Sequence, residues 1–362
     1  MKRAAPPAVH LIDASYFVFR AYYSVGLEMT DGDGQPVNAL YGFGRFLGDL
    51  LEEAKPEHVA VAFDESLSTS FRNAIYPAYK ANREPAPPEL KRQFALCREL
   101  CRLLGLAEFG SPTHEADDII GTMAARLREA GHCAVIVTRD KDLAQLVRDG
   151  DHYWDYAGER RFAYQDIAGQ FGVRPERMAD YLALTGDSVD NIPGVPGVGP
   201  KTAAALLATF ASLEELYDGL DRVGSLPIRG ASKLADRLRE HREAAYFARR
   251  LTIIACDMPI EFSLETLRRR KPDLDGLGAF YDQQKFGAAL RRQAERLVEW
   301  RTVGIASGDR VRSSPHHGHL VTGQDDRGAN ARRPESIRRF SASRIHPGRD
   351  HGPLADCRAL LP

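Results

Sequence analysis

Three carboxylates crowd into four residues at Glu115, Ala116, Asp117 and Asp118, directly ahead of a stretch whose periodicity predicts a helix from Ile119 to Ala130. Like charges this close repel, and a divalent cation is the usual counter-charge that lets a fold keep them. One such run also suits the acidic first turn of an ordinary helix. Carboxylates elsewhere in the chain decide between the two readings. Val9–Ile12, Val59–Phe63 and Cys133–Val137 are short, non-alternating apolar runs, the pattern of strands buried on both faces. They end at Asp13, at Asp64, and at Thr138-Arg139-Asp140-Lys141-Asp142. Asp187 and Asp190 add two more, sharing a face if Tyr181–Asn191 is helical. The collected set is Asp13, Asp64, Glu115, Asp117, Asp118, Asp140, Asp142, Asp187 and Asp190, far more than a general acid–base pair needs. Oxygen-only ligands suit Mg²⁺, with Mn²⁺ able to substitute, rather than zinc. Two such ions about 4 Å apart would activate a water and stabilise the leaving oxygen of a phosphodiester.

The elements that must position these groups alternate strand and helix, with helical periodicity over Ala39–Glu53, Glu89–Leu104 and Ala116–Ala130. That order predicts an α/β fold, a mostly parallel sheet flanked by helices. Ligands in such sheets gather at the carboxyl ends of the strands, where the aspartates stand. Between the second strand and the acidic cluster, Phe71–Leu90 carries Arg72, Tyr79, Lys80 and Arg83, then Pro85, Pro87 and Pro88. A basic, aromatic, proline-broken insertion beside an acidic site points to a mobile element that handles phosphates; composition alone fits a solvated surface loop equally well. Turns and a short hairpin are expected over Tyr153–Tyr164.

After Asp190 comes Gly194-Val195-Pro196-Gly197-Val198-Gly199-Pro200-Lys201-Thr202, then a helix to about Phe210. Glycines ahead of a helix free its first amides to meet an anion, Pro200 suits an early helical position, and Lys201 adds positive charge. This is the helix-hairpin-helix pattern, which grips a backbone phosphate without reading bases. It makes Gly194, Gly197, Val198, Gly199, Lys201 and Thr202 candidate DNA-binding residues, together with Arg72. Further helices are expected over Ser232–Leu251 and from Leu274 towards Trp300.

A length of 362 residues allows two or three domains. The expected division is an α/β core over 1–180 with the insertion at 71–90, a helical DNA-binding subdomain over 181–300, and a disordered tail over 301–362 rich in Gly, Ser, Pro, His and Arg. A net charge of −1 and a pI near 6.8 name no partner by themselves. The five cysteines include no C-x-x-C pair, and Cys97 and Cys101 read as core residues in a reducing cytoplasm. No apolar run approaches the roughly 20 residues of a membrane span. A cytoplasmic monomer is expected.

These stretches together resemble the 5′ nuclease family: the N-terminal 5′–3′ exonuclease domain of bacterial DNA polymerase I, the phage 5′ exonucleases and the flap endonucleases. The matching segments are LIDASYFVFRAYY from Leu11, AVAFD ending at Asp64, FRNAIYPAYKANR from Phe71, HEADDIIGT from His114, VTRDKDLAQLV from Val137 and LALTGDSVDNIPGVPGVGPKTA from Leu182. The resemblance covers about Val9–Phe286, most closely the bacterial polymerase I type. It implies a PIN-like 5′ nuclease core, and a 5′–3′ exonuclease or flap endonuclease working on 5′ ends and 5′ flaps of DNA in replication and repair. An RNA-primed 5′ strand stays open, as does a catalytically inactive protein that binds branched DNA. It further implies two metal groups, one at Asp13, Asp64, Glu115, Asp117 and Asp118, the other at Asp140, Asp142, Asp187 and Asp190. Arg20, Tyr79, Lys80 and Arg83 match positions that contact the scissile phosphate or threaded strand. The 71–90 segment matches a helical arch, and the hairpin a helix-three-turn-helix that holds K⁺. One departure is Arg139, where the family commonly has glycine. The polymerase and proofreading domains that follow in bacterial polymerase I have no counterpart in a chain of this length, so a free-standing nuclease or a truncated product is expected, with any polymerase a separate partner.

Overall fold

The computed structural model describes residues 7–65, 69–228 and 230–306. Six strands form one sheet: β1 (Ala8–Asp13), β2 (His58–Asp64), β3 (Ala107–Ser111), β4 (Cys133–Val137), β5 (His152–Asp155) and β6 (Arg160–Ala163). Their order is β3-β2-β1-β4-β5-β6, with all pairings parallel except β5–β6. The hairpin expected near Tyr153–Tyr164 is β5–β6. Strand β3 escaped the sequence reading because its AEFGS lacks an apolar run, and every one of its residues is only half-buried.

Five helices connect or cover this sheet: α1 (Ala14–Ser24), α2 (Asn38–Ala54), α3 (Phe71–Ile75), α4 (Pro88–Leu103) and α5 (Ala116–Glu129). Alternation along the strands sends side chains to opposite faces. Leu11, Ala60, Ala62 and Ile136 pack with Ile119, Ile120 and Met123 of α5. Ile12, Val61, Phe63 and Val137 pack with Phe43 and Leu47 of α2 and with Cys97, Leu100 and Cys101 of α4. Burial on both faces is why the strands read as continuous rather than alternating apolar runs.

Three structural features bear on the expected domain limits. A boundary at 180/181 falls inside the helix Met178–Thr185, and the core under α5 runs on without a break to Ala203, Leu206, Phe210, Leu234 and Leu238. The helices Leu274–Gln283 and Ala288–Ala306 do not join the hairpin helices; they return to the other face and pack against α4 and α2. Residues 301–306, assigned to the tail, continue the last helix. The rest of the tail, 307–362, lies outside the described residues.

Strand order reverses beside β1: the chain moves outward to β2 and β3, then crosses back to β4 on the other side. The carboxyl ends flanking such a switch open a crevice that side chains cannot fill, the habitual ligand site of open parallel sheets.

Candidate active site

Register brings the first carboxylates together. Ile12 pairs with Val137, which sets Asp13 level with Thr138. The Thr138 hydroxyl donates to Asp13 Oδ2 at 2.8 Å and accepts from the Asp140 amide at 2.9 Å. Asp13 also caps α1 through the Tyr16 amide at 3.3 Å. Asp64, level with Ser111 at the end of β2, accepts the Ala116 amide of α5 at 2.7 Å, and its own amide donates to the Ser15 hydroxyl at 3.0 Å. Strand ends and helix starts thus fix one another around the crevice. Thr138 and Ser15 were not singled out in the sequence, although both lie inside the quoted motifs.

Asp140 accepts the Asp142 amide at 2.8 Å and starts a short 3₁₀ turn, Lys141–Leu146. Across from it, Asp187 and Asp190 stand in a turn, not on a helix. Helix Met178–Thr185 stops at Gly186, whose φ of 72° lies in the left-handed region. Asp187 Oδ1 then accepts the Val189 and Asp190 amides at 2.8 and 3.3 Å. Lys141 reaches Asp187 at 3.1 Å.

The segment expected as a helical arch has one five-residue helix, α3, then turns until Pro88. Its Tyr79, Lys80 and Arg83 are buried in the acidic crevice. Lys80 Nζ lies 2.7 Å from Glu115 Oε2 and 3.9 Å from Asp190 Oδ2. Arg83 pairs with Asp190, and the Tyr79 hydroxyl donates towards both Asp190 (3.2 Å) and Glu115 (3.3 Å). Lys80 takes the left-handed conformation, φ 56°, which is unfavourable for a residue with a Cβ; its backbone N–H donates to the Asp190 carbonyl at 3.0 Å and holds it there.

Electrostatics follow from this arrangement. Burial works to raise the Glu115 pKa, but the charges of Lys80 and Arg72 prevail and hold it at about 2. Asp142 goes the other way, to about 8: lost hydration dominates, opposed by the pull of Lys141 and joined by repulsion from Asp187, Asp190 and Asp117. Among the described residues, no three acidic, histidine or cysteine side chains converge into a closed metal cage. The donor set nevertheless fits a hard divalent ion. Every candidate ligand is a carboxylate, and Glu115 Oε1 and Asp142 Oδ1 are buried without a hydrogen-bond partner. Mg²⁺ retains waters and takes only a few protein carboxylates.

Two of the expected site residues are placed elsewhere. Arg72, read as a DNA contact, is buried at 2% exposure. Its guanidinium binds both oxygens of Asp118 at 2.8 Å and donates to the carbonyls of Leu251 and Ile253 at 2.9 Å. Asp118, read as a metal ligand, is fully buried and also accepts the Glu115 and Ala255 amides at 3.0 and 2.8 Å. Its lone pairs are committed, and the pair is a structural clamp.

In the hairpin, Gly194 packs so closely on Gly186 that a Cβ would lie 2.4 Å from the Gly186 amide. Gly197 has φ 76°, and Gly199 starts helix Pro200–Thr209 without a side-chain cap, leaving first-turn amides for an outside acceptor. Lys201 is exposed and Thr202 half-buried in that turn. Val198 is 4% exposed and belongs to the core, so its side chain does not reach a ligand. Arg20 lies half-buried on α1, two turns from Asp13.

The family model "5′-3′ exonuclease, N-terminal resolvase-like domain" matches residues 8–172, and "5′-3′ exonuclease, C-terminal SAM fold" matches 173–275. The chain belongs to this 5′–3′ exonuclease family. It is 40% identical over 285 residues to the thermostable DNA polymerase I of Thermus filiformis, covering 79% of this chain and 33% of that one. Against DNA polymerase I of Mycobacterium bovis it is 36% identical over 355 residues, covering 96% and 36%. The chain therefore spans about a third of these relatives' length, and the second match reaches into the stretch set apart as a tail. In three dimensions, T5 5′-exonuclease, solved with divalent zinc ions, superimposes with a TM-score of 0.55 at 19% identity, over 81% of this chain and 98% of that one. That likeness is one of fold. Among the described residues no helix is long and apolar enough to cross a membrane.

Proposed function

We infer that this chain hydrolyses phosphodiester bonds at 5′ ends and 5′ flaps of DNA, using two Mg²⁺ ions held by Asp13, Asp64, Glu115 and Asp117 on one side and Asp140, Asp142, Asp187 and Asp190 on the other. One observation supports the reading: buried oxygens of Glu115 and Asp142 lack a hydrogen-bond partner, beside strand ends where Thr138 links Asp13 to Asp140 and Asp64 holds the start of α5. Bound there, the ions supply an acidified water and Lewis-acid stabilisation of the phosphoryl oxygens.

The chain's own groups do the rest. Lys80 and Arg83, now paired with Glu115 and Asp190, are placed to meet the charge that grows on a phosphate in the crevice. Tyr79, donating to both carboxylates, orients them. Lys201 and the uncapped amides after Gly199 hold the duplex by its backbone, without regard to sequence. Relatives named DNA polymerase I, and fold neighbours solved with metal ions or DNA, support the reading.

The test is a labelled 5′-flap duplex incubated with Mg²⁺, with and without chelator, and scored for product length. Cutting that stops with chelator and returns with Mg²⁺ is expected. Persistent cutting in chelator defeats the metal mechanism. Tight binding with no cutting under any divalent metal makes the chain a branched-DNA-binding protein instead.

A further inference from the structure

The sequence departs from its resemblance at Arg139, and the structure gives that side chain a defined setting. Arg139 is rooted between Thr138, bonded to Asp13, and Asp140. Its side chain is 47% exposed, and its Nε lies 4.0 Å from Asp155 Oδ2. Asp155 is itself buried, 2% exposed, and also binds Arg160 at 3.0 Å. The Tyr16 hydroxyl interacts with Arg139 as well, within the field of Arg20 one turn further along α1. A single buried carboxylate thus faces two guanidinium groups, each about half-exposed at the rim. Guanidinium groups held by such partners, with donors still exposed, can accept an anion with less ordering left to do.

This rim borders the crevice at Asp13 and Asp140. Lys80 and Arg83 close the crevice at Glu115 and Asp190. A strand with a reacting phosphate between the two carboxylate groups would bring a neighbouring phosphate past Arg139. Resting on the nuclease reading above, we propose that Arg139, oriented by Asp155 and Tyr16 and assisted by Arg160, binds a non-reacting backbone phosphate of the DNA substrate next to the one cleaved. Arg139 is here a binding and positioning residue. It adds grip on the substrate without entering the chemical step.

The experiment compares the parent chain with R139G, R139K and R160A on one 5′-flap DNA. Cleavage is measured in Mg²⁺, and affinity by fluorescence anisotropy with Ca²⁺ in its place, between about 50 and 200 mM salt. R139G is expected to raise KM and Kd about tenfold, to reduce the salt slope by about one, and to leave kcat within about twofold. R139K should restore the slope but not the full affinity, because a lysine keeps the charge and loses the fork. R160A should show a smaller loss of the same kind. Parent-like KM and salt slope in R139G, while the parent cuts, overturns the proposal. So does an affinity loss that follows a lowered melting temperature. A parent chain that neither binds nor cuts takes down the nuclease reading first, and this one with it.

Discussion

Arg72 and Asp118, 46 residues apart, meet in a two-pronged ion pair with both side chains at 3% exposure or less. The same guanidinium holds the carbonyls of Leu251 and Ile253, and the same carboxylate holds the amides of Glu115 and Ala255. The clamp therefore ties α3, the start of α5 and the end of helix Arg242–Thr252 at one point. Removing one partner strands a buried charge. Arg72→Met should cost about 3–5 kcal/mol in urea unfolding, and the paired change Arg72→Met with Asp118→Leu should cost less than either single change. DNA affinity of the folded single variants should stay at parent level, which a direct strand contact by Arg72 would not allow.

Asp140→Asn keeps the side chain's shape and its acceptor for the Asp142 amide while removing one charge from the crevice. Flap cutting in Mg²⁺ should fall by at least about a hundredfold, with flap binding in Ca²⁺ retained. Parent rates in this variant would remove Asp140 from the machinery.

His10, on β1, packs beside Trp154 and is 7% exposed. Burial first, and then the charge of Arg161, lower its pKa to about 4 from an ordinary 6.5. The folded chain keeps this ring neutral while the unfolded chain protonates it. Stability is therefore intact above about pH 6.5 and declines as the pH falls towards 4, by up to about 3 kcal/mol. His10→Leu should flatten that decline. The measurement is the difference in unfolding free energy between parent and variant at pH 7 and pH 4.5; equal pH dependence in the two would refute the assignment.

Lys201 projects from the uncapped first turn of helix Pro200–Thr209. Lys201→Ala should weaken duplex binding for all sequences alike and reduce the salt slope by about one, since one phosphate contact is lost. An unchanged slope would make the lysine a solvated surface residue.

The fold was legible wherever burial dictates sequence. β1, β2 and β4 are covered on both faces, so their continuous apolar runs betray them, and the aspartates closing them mark the strand ends. β3 and the turn carrying Asp187 and Asp190 were not legible. An edge strand half-exposed along its length needs no apolar run, and the helix before Asp187 stops at Gly186 through a backbone angle that residue spacing does not encode. Arg72 shows a third limit: a basic residue in a basic segment reads as a phosphate contact, and only its burial against Asp118 reveals another task. The crowding of carboxylates could be read in advance because like charges packed this densely call for a counter-ion. The way Lys80 and Arg83 fold into them depends on long-range packing and could not.

The second of the two family matches ends at residue 275, yet the packing of the core continues past it. Leu277, Phe280, Phe286, Leu290, Ala294 and Leu297 cover the outer side of α2 and α4, Gln293 bonds Asp49 at 2.7 Å, and Arg269 bonds the Leu297 carbonyl at 3.2 Å. A gene fragment trimmed to the matched limits would strip this cladding and leave a greasy flank bare to solvent. Such a product should clump during expression even though every proposed ligand and the whole hairpin were retained. Any dissection of the protein has to carry the closing pair of helices along with the sheet.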